Sequence, residues 1–227
     1  VASTAMLIRV PDRIAWPIAA AFPVTYATAY DALRMTAEVR PGETVLVLGA
    51  AGGVGSAAVE LAKVLGARVI AAASSPAKLD ACRRLGADAV IDYTTENLKE
   101  RAKVLSGGGV DVVIDPVGGP YSEAALRAMA VGGRFVVVGF ASKEIPRIPL
   151  NLVLLKGVEI RAYDAAKVWQ QRPDETRRNR EELVALLAAG RIRPLVSDVF
   201  RLADGGAALR AVFDRRAVGK VVVEPTR

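Results

Sequence analysis

The segment from Val45 to Gly55, V-L-V-L-G-A-A-G-G-V-G, constrains the fold more than any other part of the sequence. Four apolar residues run directly into a cluster of glycines, and the helix-like segment S-A-A-V-E-L-A-K-V-L-G follows at once. A buried strand that breaks on glycines and restarts as a helix lets a ligand approach the backbone closely. The segment therefore predicts a strand, a tight turn and a helix, in that order.

Apolar runs rich in β-branched residues alternate with helical periodicity from residue 44 onward. The predicted strands are Thr44–Leu48, Arg68–Ala73, Ala89–Tyr93, Asp111–Asp115, Arg134–Gly139 and Val158–Ala162. The predicted helices between them are Ser56–Leu65, Pro76–Gly86, Leu98–Leu105, Tyr121–Met129 and Leu150–Leu155. Strands that alternate with helices in this way indicate βαβ crossovers. We therefore expect an α/β fold, a doubly wound parallel sheet of the Rossmann type.

The flanking segments follow a different pattern. A helix is predicted near Tyr26–Thr36, and a long amphipathic helix over Glu175–Ala189. Two late apolar runs, Pro194–Leu202 and Gly219–Pro225, enclose a helix predicted at Gly206–Arg215. These two runs are typical of strands, and we expect them to need partners outside the central sheet.

The residue types that are missing exclude some chemistry. The 227 residues include no histidine and one cysteine, Cys82, which lies on a predicted helix and is expected to be a partly buried thiol. A catalytic zinc site normally draws on histidine and cysteine, so this chain cannot build one alone. Without histidine, a Ser/His/Asp triad is excluded as well. We expect no metal site.

The net charge of +7 is compatible with nucleic-acid binding, but its distribution argues against it. The densest basic stretch, R-P-D-E-T-R-R-N-R-E-E-L, alternates with carboxylates, as on a solvated helix face. No apolar run reaches the roughly 18 residues of a membrane span. We expect no nucleic-acid partner, no membrane span and, with a single cysteine, a cytoplasmic location.

The glycine turn has the spacing of a phosphate-binding loop. Aligned on Gly55 it reads as G-x-G-x-x-G with Ala50 in the first place. Gly52 permits close approach of a pyrophosphate, and Gly55 lets the helix pack tightly on the strand. The phosphates would then lie at the helix N-terminus, where unpaired N–H groups and the helix dipole favour negative charge. A glycine turn kept only for packing is the alternative; the surrounding βαβ pattern favours the dinucleotide.

The end of the second strand indicates which dinucleotide binds. No acidic residue lies between Glu60 and Asp80, whereas an NAD site expects one about 20 residues after the turn. Ser74, Ser75 and Lys78 supply hydroxyls and a cation, which suit a 2′-phosphate. The alternative is an ordinary N-cap at Ser75 with a solvated lysine. The pattern favours NADP(H) over NAD(H).

Two further turns follow predicted strands four and five. They place Val117 and Gly118, and then Gly139, Phe140 and Ala141, at the carboxyl end of the sheet. Ligands of doubly wound sheets lie there, so we expect these residues beside the nicotinamide half of the cofactor. Plain turns between strand and helix are the alternative.

Several stretches together resemble the zinc-independent quinone oxidoreductase branch of the medium-chain dehydrogenase/reductase superfamily. They are A-A-F-P-V-T-Y-A-T-A-Y-D-A-L, the glycine-turn stretch, L-G-A-D-A-V-I-D-Y, D-V-V-I-D-P-V-G-G, G-G-R-F-V-V-V-G-F-A-S and the late G-K-V-V-V. The resemblance implies an NADPH-dependent reductase of quinones, enones or other activated alkenes. It also implies that Tyr93 joins Ser74, Ser75 and Lys78 around the 2′-phosphate, and that Thr28 lies near the nicotinamide. By the same resemblance, the backbone N–H groups of Gly52, Gly53 and Val54 would contact the pyrophosphate. Zinc-dependent relatives carry a cysteine near the position of Pro23.

The resemblance also implies an organisation for the chain. Residues 1–35 would be the end of a GroES-like catalytic domain and a linking helix, residues 36–172 the dinucleotide-binding domain, and residues 173–227 helices and strands returning toward the catalytic domain. The termini would thus be remnants of a truncated catalytic domain, and the late strands would lack partners. Family members commonly dimerise through the sheet edge, so a homodimer is expected.

The chemistry of the proton donor stays open at this level. Tyr26, Tyr30 and Tyr163 are the tyrosines that could lie near the cleft, although packing is the commoner role for such residues. Two alternatives to a quinone or enone reductase also stay open. One is a dinucleotide-binding module without turnover of its own, and the other is an enoyl-thioester reductase, which shares the fold and the cofactor.

Overall fold

The computed structural model describes residues 7–225, and its centre is a six-stranded parallel sheet. The strands are β1 (Thr44–Leu48), β2 (Arg68–Ala73), β3 (Ala89–Asp92), β4 (Val110–Asp115), β5 (Met129–Val137) and β6 (Glu159–Ala162). Their order in the sheet is β3-β2-β1-β4-β5-β6. The order reverses between β1 and β4, which is the switch point of a doubly wound fold. The predicted Rossmann-type sheet is confirmed.

Ten α-helices are described within residues 7–225. They are α1 (Trp16–Ala21), α2 (Pro23–Asp31), α3 (Gly53–Val64), α4 (Pro76–Arg84), α5 (Leu98–Ser106), α6 (Tyr121–Arg127), α7 (Leu150–Lys156), α8 (Ala165–Gln171), α9 (Pro173–Ala188) and α10 (Gly205–Phe213). The predicted helices are present, with shifted ends. The prediction for the first crossover begins at Ser56, but α3 starts three residues earlier because the glycines themselves form its first turn. The helix predicted near Tyr26–Thr36 is α2 followed by a π-helical turn, Ala32–Thr36.

The sheet is buried on both faces, which explains its continuous apolar strands. Along β1, Val45 and Val47 pack on one side, with residues of α2, α3, α4 and α9. Leu46 and Leu48 pack on the other side, with α5, α6 and α7. Each of these four β1 side chains is fully buried. Alternate side chains of a strand point to opposite faces, so one short strand supports both helical layers.

The two late strands contradict one expectation. The late apolar runs do lie outside the central sheet, but β7 (Val196–Arg201) and β8 (Lys220–Glu224) pair with each other in a parallel two-stranded sheet. The expectation that they would lack partners is wrong. The physical reason is α10, which connects them: a strand, a helix and a second strand form a βαβ unit that pairs its own strands in parallel.

Candidate functional site

The glycine turn packs as its spacing predicts. A side chain at Gly55 would place its Cβ 2.2 Å from the carbonyl oxygen of Gly49, so only glycine allows α3 to lie this close to the end of β1. The N–H of Gly52 donates to the carbonyl of Gly49 at 2.9 Å, which closes the turn. Gly52 is exposed, and Gly53 and Val54 are half-buried. The start of α3 is therefore open on the side where a diphosphate would rest.

The residue that precedes strand β8 lies beside this turn. Gly219 donates its N–H to the carbonyl of Ala51 at 2.7 Å, and it has a φ of +81°. A Cβ at Gly219 would meet the carbonyl oxygen of Leu195 at 2.2 Å, so this position requires glycine. The next residue, Lys220, then extends its side chain over Gly53, with its Cδ 3.0 Å from the place of a Gly53 Cβ. A cationic side chain thus lies along the N-terminus of α3.

A cluster of polar side chains occupies the carboxyl end of β2. The Nζ of Lys78 donates to the Oγ of Ser74 at 3.1 Å and to the carbonyl oxygen of Arg215 at 2.9 Å. Burial, and secondly the charge of Arg215, lowers the pKa of Lys78 below the usual value for lysine. A half-buried ammonium that faces a second cation would be stabilised by a bound anion.

Tyr93 and Arg215 complete this cluster. Burial raises the pKa of Tyr93, while the neighbouring Ser74 hydroxyl and the positive charge of Arg215 act in the opposite direction. The ring of Tyr93 packs on Tyr121 with the two ring centres 4.3 Å apart, which orients its hydroxyl. We define Ser74, Lys78, Tyr93 and Arg215 as the phosphate cluster.

Ser75 has a backbone role beside the phosphate cluster. It stands at the N-cap position of α4 in extended conformation, and Pro76 follows it as the first helical residue. Its side chain makes no capping hydrogen bond, and the residue is half-buried. The hydroxyl therefore remains available beside Ser74.

The turns after β4 and β5 are fixed by one buried carboxylate. Oδ1 of Asp115 accepts the N–H groups of Val117 and Gly118, each at 2.8 Å, and Oδ2 accepts the hydroxyl of Ser122 at 2.6 Å. Asp115 is 2% exposed. From the sequence alone, Asp115 is only the end of a strand; its role as the anchor of the turn depends on contacts that spacing does not reveal.

The two turns are also joined to each other. Ala141 donates its N–H to the carbonyl of Pro116 at 3.1 Å, and Ser142 donates to the carbonyl of Val117 at 2.8 Å. Val117, Gly139, Phe140 and Ala141 therefore form one continuous surface at the carboxyl end of the sheet, whereas Gly118 is buried against Phe140. We call it the apolar wall, because it presents backbone and apolar side chains. Thr28 lies half-buried on α2, a helix that packs against α3.

The three tyrosines considered as proton donors are held in structural contacts. The hydroxyl of Tyr26 donates to the carboxylate of Glu60 on α3, that of Tyr30 donates to Glu182 at 2.8 Å, and that of Tyr163 donates to Asp31 at 3.1 Å. Burial is the main cause that raises the pKa of each of these phenols. These hydroxyls join α2 to α3, to α9 and to the segment after β6, respectively.

Two cavities elsewhere in the fold do not involve the predicted residues. An apolar one of about 160 Å³ lies between the N-terminal segment and α9, bounded by Leu7, Phe22 and Leu187 among others. A polar one of about 380 Å³ lies between the π-helical turn and α9, near Arg34 and Asn179. Within residues 7–225, no three His, Cys, Asp or Glu side chains are grouped so as to hold a metal ion. In the same range, no helix combines the length and apolar character that crossing a membrane requires.

The structure brings most of the predicted residues into one arc along the carboxyl end of the sheet. The phosphate cluster is at β2, the open glycine turn at β1, and the apolar wall at β4 and β5. Sequence reasoning missed Arg215 and Lys220 because they lie far along the chain in an exposed turn and a short strand. The basic residues around G-K-V-V-V were the available signal. Cationic clusters bind phosphate groups, and an open helix N-terminus binds a diphosphate, so these residues fit an adenine dinucleotide with a 2′-phosphate.

A parallel sheet with this strand order, whose first strand ends in an open glycine turn, defines a dinucleotide-binding domain of the Rossmann class. The family model described as "Zinc-binding dehydrogenase" matches residues 53–182. The chain belongs to this family, in the quinone oxidoreductase-like branch of the medium-chain dehydrogenases/reductases, and it comprises the cofactor-binding portion.

One curated protein and two solved structures illustrate the similarity. Quinone oxidoreductase-like protein 2 of Bos taurus is 40% identical over 219 residues, which cover 96% of this chain and 63% of that protein. The quinone oxidoreductase of Thermus thermophilus, solved also in complex with NADPH, is 37% identical with a TM-score of 0.85, covering 96% of this chain and 69% of that one. The CurK enoyl reductase is 33% identical with a TM-score of 0.87, and the match covers 98% of this chain and 67% of that one. The chain thus spans about 60% of the length of the curated relatives.

Proposed function

We propose that this chain binds NADPH and serves as the cofactor-binding portion of an oxidoreductase that reduces a conjugated carbonyl compound, a quinone or an enone. The observation that carries the proposal is the phosphate cluster beside the open glycine turn. The Lys78 ammonium, a serine hydroxyl and a phenol converge where a 2′-phosphate would lie, within the electrostatic influence of Arg215. No acidic residue occurs between Glu60 and Asp80 to bind a free ribose hydroxyl.

Each part of the arc has a role in this proposal. Ser74, Ser75, Lys78, Tyr93 and Arg215 hold the 2′-phosphate, and the N–H groups of Gly53 and Val54 hold the diphosphate with Lys220 beside it. The N–H of Gly52, which we expected to contact the pyrophosphate, already donates to the Gly49 carbonyl, so Gly52 contributes only the close approach of the backbone. The apolar wall and Thr28 bound the nicotinamide and exclude water from it. The bound cofactor supplies the hydride. The residues of this chain bind and orient the cofactor, and none is proposed as the proton donor.

The test is a pair of titrations with NADPH and NADH, followed by turnover assays with a small quinone and an enone. A charge-assisted contact to the 2′-phosphate predicts that NADPH binds at least about tenfold more tightly than NADH. Turnover above the uncatalysed rate would show that the chain is active without the rest of the protein. NADPH binding without turnover would identify a binding module, and the absence of NADPH binding would refute the proposal.

A second candidate, an enoyl-thioester reductase, is favoured by a specific observation. CurK is an enoyl reductase, and other similar proteins are polyketide synthases, such as GfsB of Streptomyces halstedii at 39% identity over 95% of this chain. The cofactor half would serve either reaction equally. A panel of quinones and crotonyl-type thioesters, assayed with NADPH under identical conditions, distinguishes the two: faster turnover of the thioesters favours the second candidate.

We also propose the organisation expected from the sequence. Residues 1–35 would be the end of a GroES-like catalytic domain and a linking helix, residues 36–172 the cofactor domain, and residues 173–227 segments that return to the catalytic domain. This organisation is supported by the coverage of the relatives: the match includes 63% of the length of the Bos taurus protein and leaves the rest outside it. The cytoplasm is the proposed compartment, supported by the single, buried cysteine, Cys82.

A homodimer through the sheet edge is proposed on the exposure of that edge. β6 is the last strand of the described sheet, its Ile160 is 41% exposed, and the preceding helix α7 exposes Leu154 at 81%. Exposed strand edges with apolar side chains favour pairing with another chain. Sedimentation velocity across a concentration series tests this proposal, and a monomer at all concentrations would contradict it.

A further inference from the structure

Two surface turns meet over the carboxyl end of the sheet. They lie above the crevice at the switch point between β1 and β4, where a doubly wound fold binds its ligand. One is the turn 139–144 after β5, and the other is the turn 213–216 after α10. The ammonium of Lys143 lies 3.6 Å from the centre of the Phe213 ring. The Nη2 of Arg215 donates to the carbonyl of Ser142 at 3.2 Å. These contacts attach the second turn to the β5 side of the crevice.

The same C-terminal turn is attached to the opposite side of the crevice. The Nζ of Lys78, which belongs to α4 after β2, donates to the carbonyl of Arg215 at 2.9 Å. In the sheet, β1 and β4 lie between β2 and β5, so the strands that precede the two attachment points are three strand spacings apart, roughly 14 Å. Arg215 therefore bridges the strands between which a doubly wound fold binds its ligand.

Left-handed backbone conformations occur on both sides of this contact. Among residues 7–225, three residues other than glycine have a left-handed backbone: Glu38, Lys143 and Arg215. The φ angles of Lys143 and Arg215 are +70° and +57°. Arg215 ends α10 as a left-handed helix cap, in which Arg216 donates its N–H to the carbonyl of Ala211 at 3.0 Å. Lys143 lies in a surface turn, and left-handed residues of this kind are concentrated at ligand clamps and switch regions.

The contact has few other interactions to hold it in place. Phe213 is 70% exposed although it is a large apolar residue, and Lys143 and Arg215 are exposed as well. A contact built from exposed side chains on surface turns belongs to the part of a fold that opens with little free energy. It can open while the rest of the domain stays folded.

We propose that the turns 139–144 and 213–216 form a latch over the dinucleotide crevice, which opens to admit the cofactor and closes over it. Lys143 and Phe213 are positioning residues that set how long the cofactor stays bound. The inference rests on the proposed function, since it assigns the crevice to a dinucleotide. The Lys143–Phe213 pair lies on the β5 side, across the crevice from Lys78, so the latch retains NADPH and NADH alike.

Dissociation rates of the cofactor test the latch. The release of NADPH and of NADH is measured by stopped-flow fluorescence for the unmodified chain, Lys143→Met and Phe213→Leu, with Lys167→Met as an exposed control. A cation–π pair at an exposed site predicts release about two- to fivefold faster for both cofactors in both variants, with no change in the control. Unchanged release in both variants, in a chain that binds NADPH, would overturn the latch alone. A chain that binds neither cofactor would overturn the proposed function and the latch with it.

Limited trypsin digestion provides a second readout that does not depend on cofactor kinetics. Arg215 and Arg216 are exposed, so trypsin can cut within the latch, and mass spectrometry of the C-terminal fragment identifies the cut. We expect Lys143→Met to be cut there several-fold faster than the unmodified chain without cofactor, and NADPH to slow the cut in the unmodified chain. Equal cleavage rates in all three conditions would contradict the latch.

Discussion

The two ends of the crevice consist of different chemical groups. At the β2 end, the phosphate cluster uses charged and hydroxyl side chains, and burial lowers the pKa of Lys78 and raises that of Tyr93. At the β4 and β5 end, the apolar wall uses backbone groups and small or apolar residues held by one carboxylate, Asp115. The first end can distinguish cofactors by charge, whereas the second can only offer shape. Substitutions at the two ends should therefore affect different quantities.

The largest effect is expected from Asp115→Ala, at the apolar wall. The substitution leaves two buried N–H groups and the Ser122 hydroxyl without their acceptor. Each unsatisfied buried group costs about 1–3 kcal/mol, so we expect the free energy of unfolding to fall by about 3–5 kcal/mol. Urea denaturation measures this loss. Asp198→Ala, on exposed strand β7, is the control. A loss at Asp115 below about 1 kcal/mol, the cost of one such group, would show that the turn is not anchored there.

Lys78→Ala, at the phosphate cluster, should change cofactor preference with less effect on stability. A charge-assisted contact contributes about 1.5–3 kcal/mol, so we expect NADPH to bind about 10- to 150-fold more weakly and NADH to change less than about twofold. Isothermal titration of both cofactors measures this difference. Equal losses for NADPH and NADH would show that Lys78 does not bind the 2′-phosphate. Lys167→Ala, on α8, serves as the matched control.

Tyr93→Phe should give the smallest effect. The substitution keeps the ring that packs on Tyr121 and removes only the hydroxyl beside Ser74. A single hydrogen bond contributes about 0.5–1.5 kcal/mol, which predicts NADPH binding about 2- to 10-fold weaker, with NADH unchanged. The same titrations measure it. If NADPH affinity does not change, Tyr93 supports the cluster by packing and makes no contact with the phosphate.

The central fold could be predicted from the sequence because its signals are local. The six strands of the sheet carry continuous apolar runs, and the helices between them carry caps and periodicity within a dozen residues. The end of α6 shows the limit: the pattern predicts a helix that reaches Met129, but Met129 opens β5, five residues before the predicted start of that strand. Apolar residues at such a boundary suit either element, and tertiary pairing with Val110 decides between them.

The late strands were harder to predict because pairing is a long-range property. The intervening helix α10 contained the signal for a parallel pair, but the resemblance to complete family members pointed to partners in another domain. The candidate site likewise combines residues that local sequence identifies with residues that only long-range packing brings in. Gly52, Ser74 and Lys78 follow from motif spacing, whereas Arg215 and Lys220 reach the crevice only through the packing of β8 against the glycine turn. Spacing along the chain cannot show such a contact.

The hydrogen bond between Gly219 and Ala51 has a consequence for biosynthesis. Nascent domains begin to fold from their N-terminal side while translation continues. The strand that ends in the glycine turn is the first strand of the sheet to leave the ribosome, but its neighbour Lys220 is synthesised after all six strands. A ribosome-bound intermediate that lacks residue 220 would carry the whole parallel sheet and still have an unfinished diphosphate pocket, so cofactor capture would have to await the synthesis of β8.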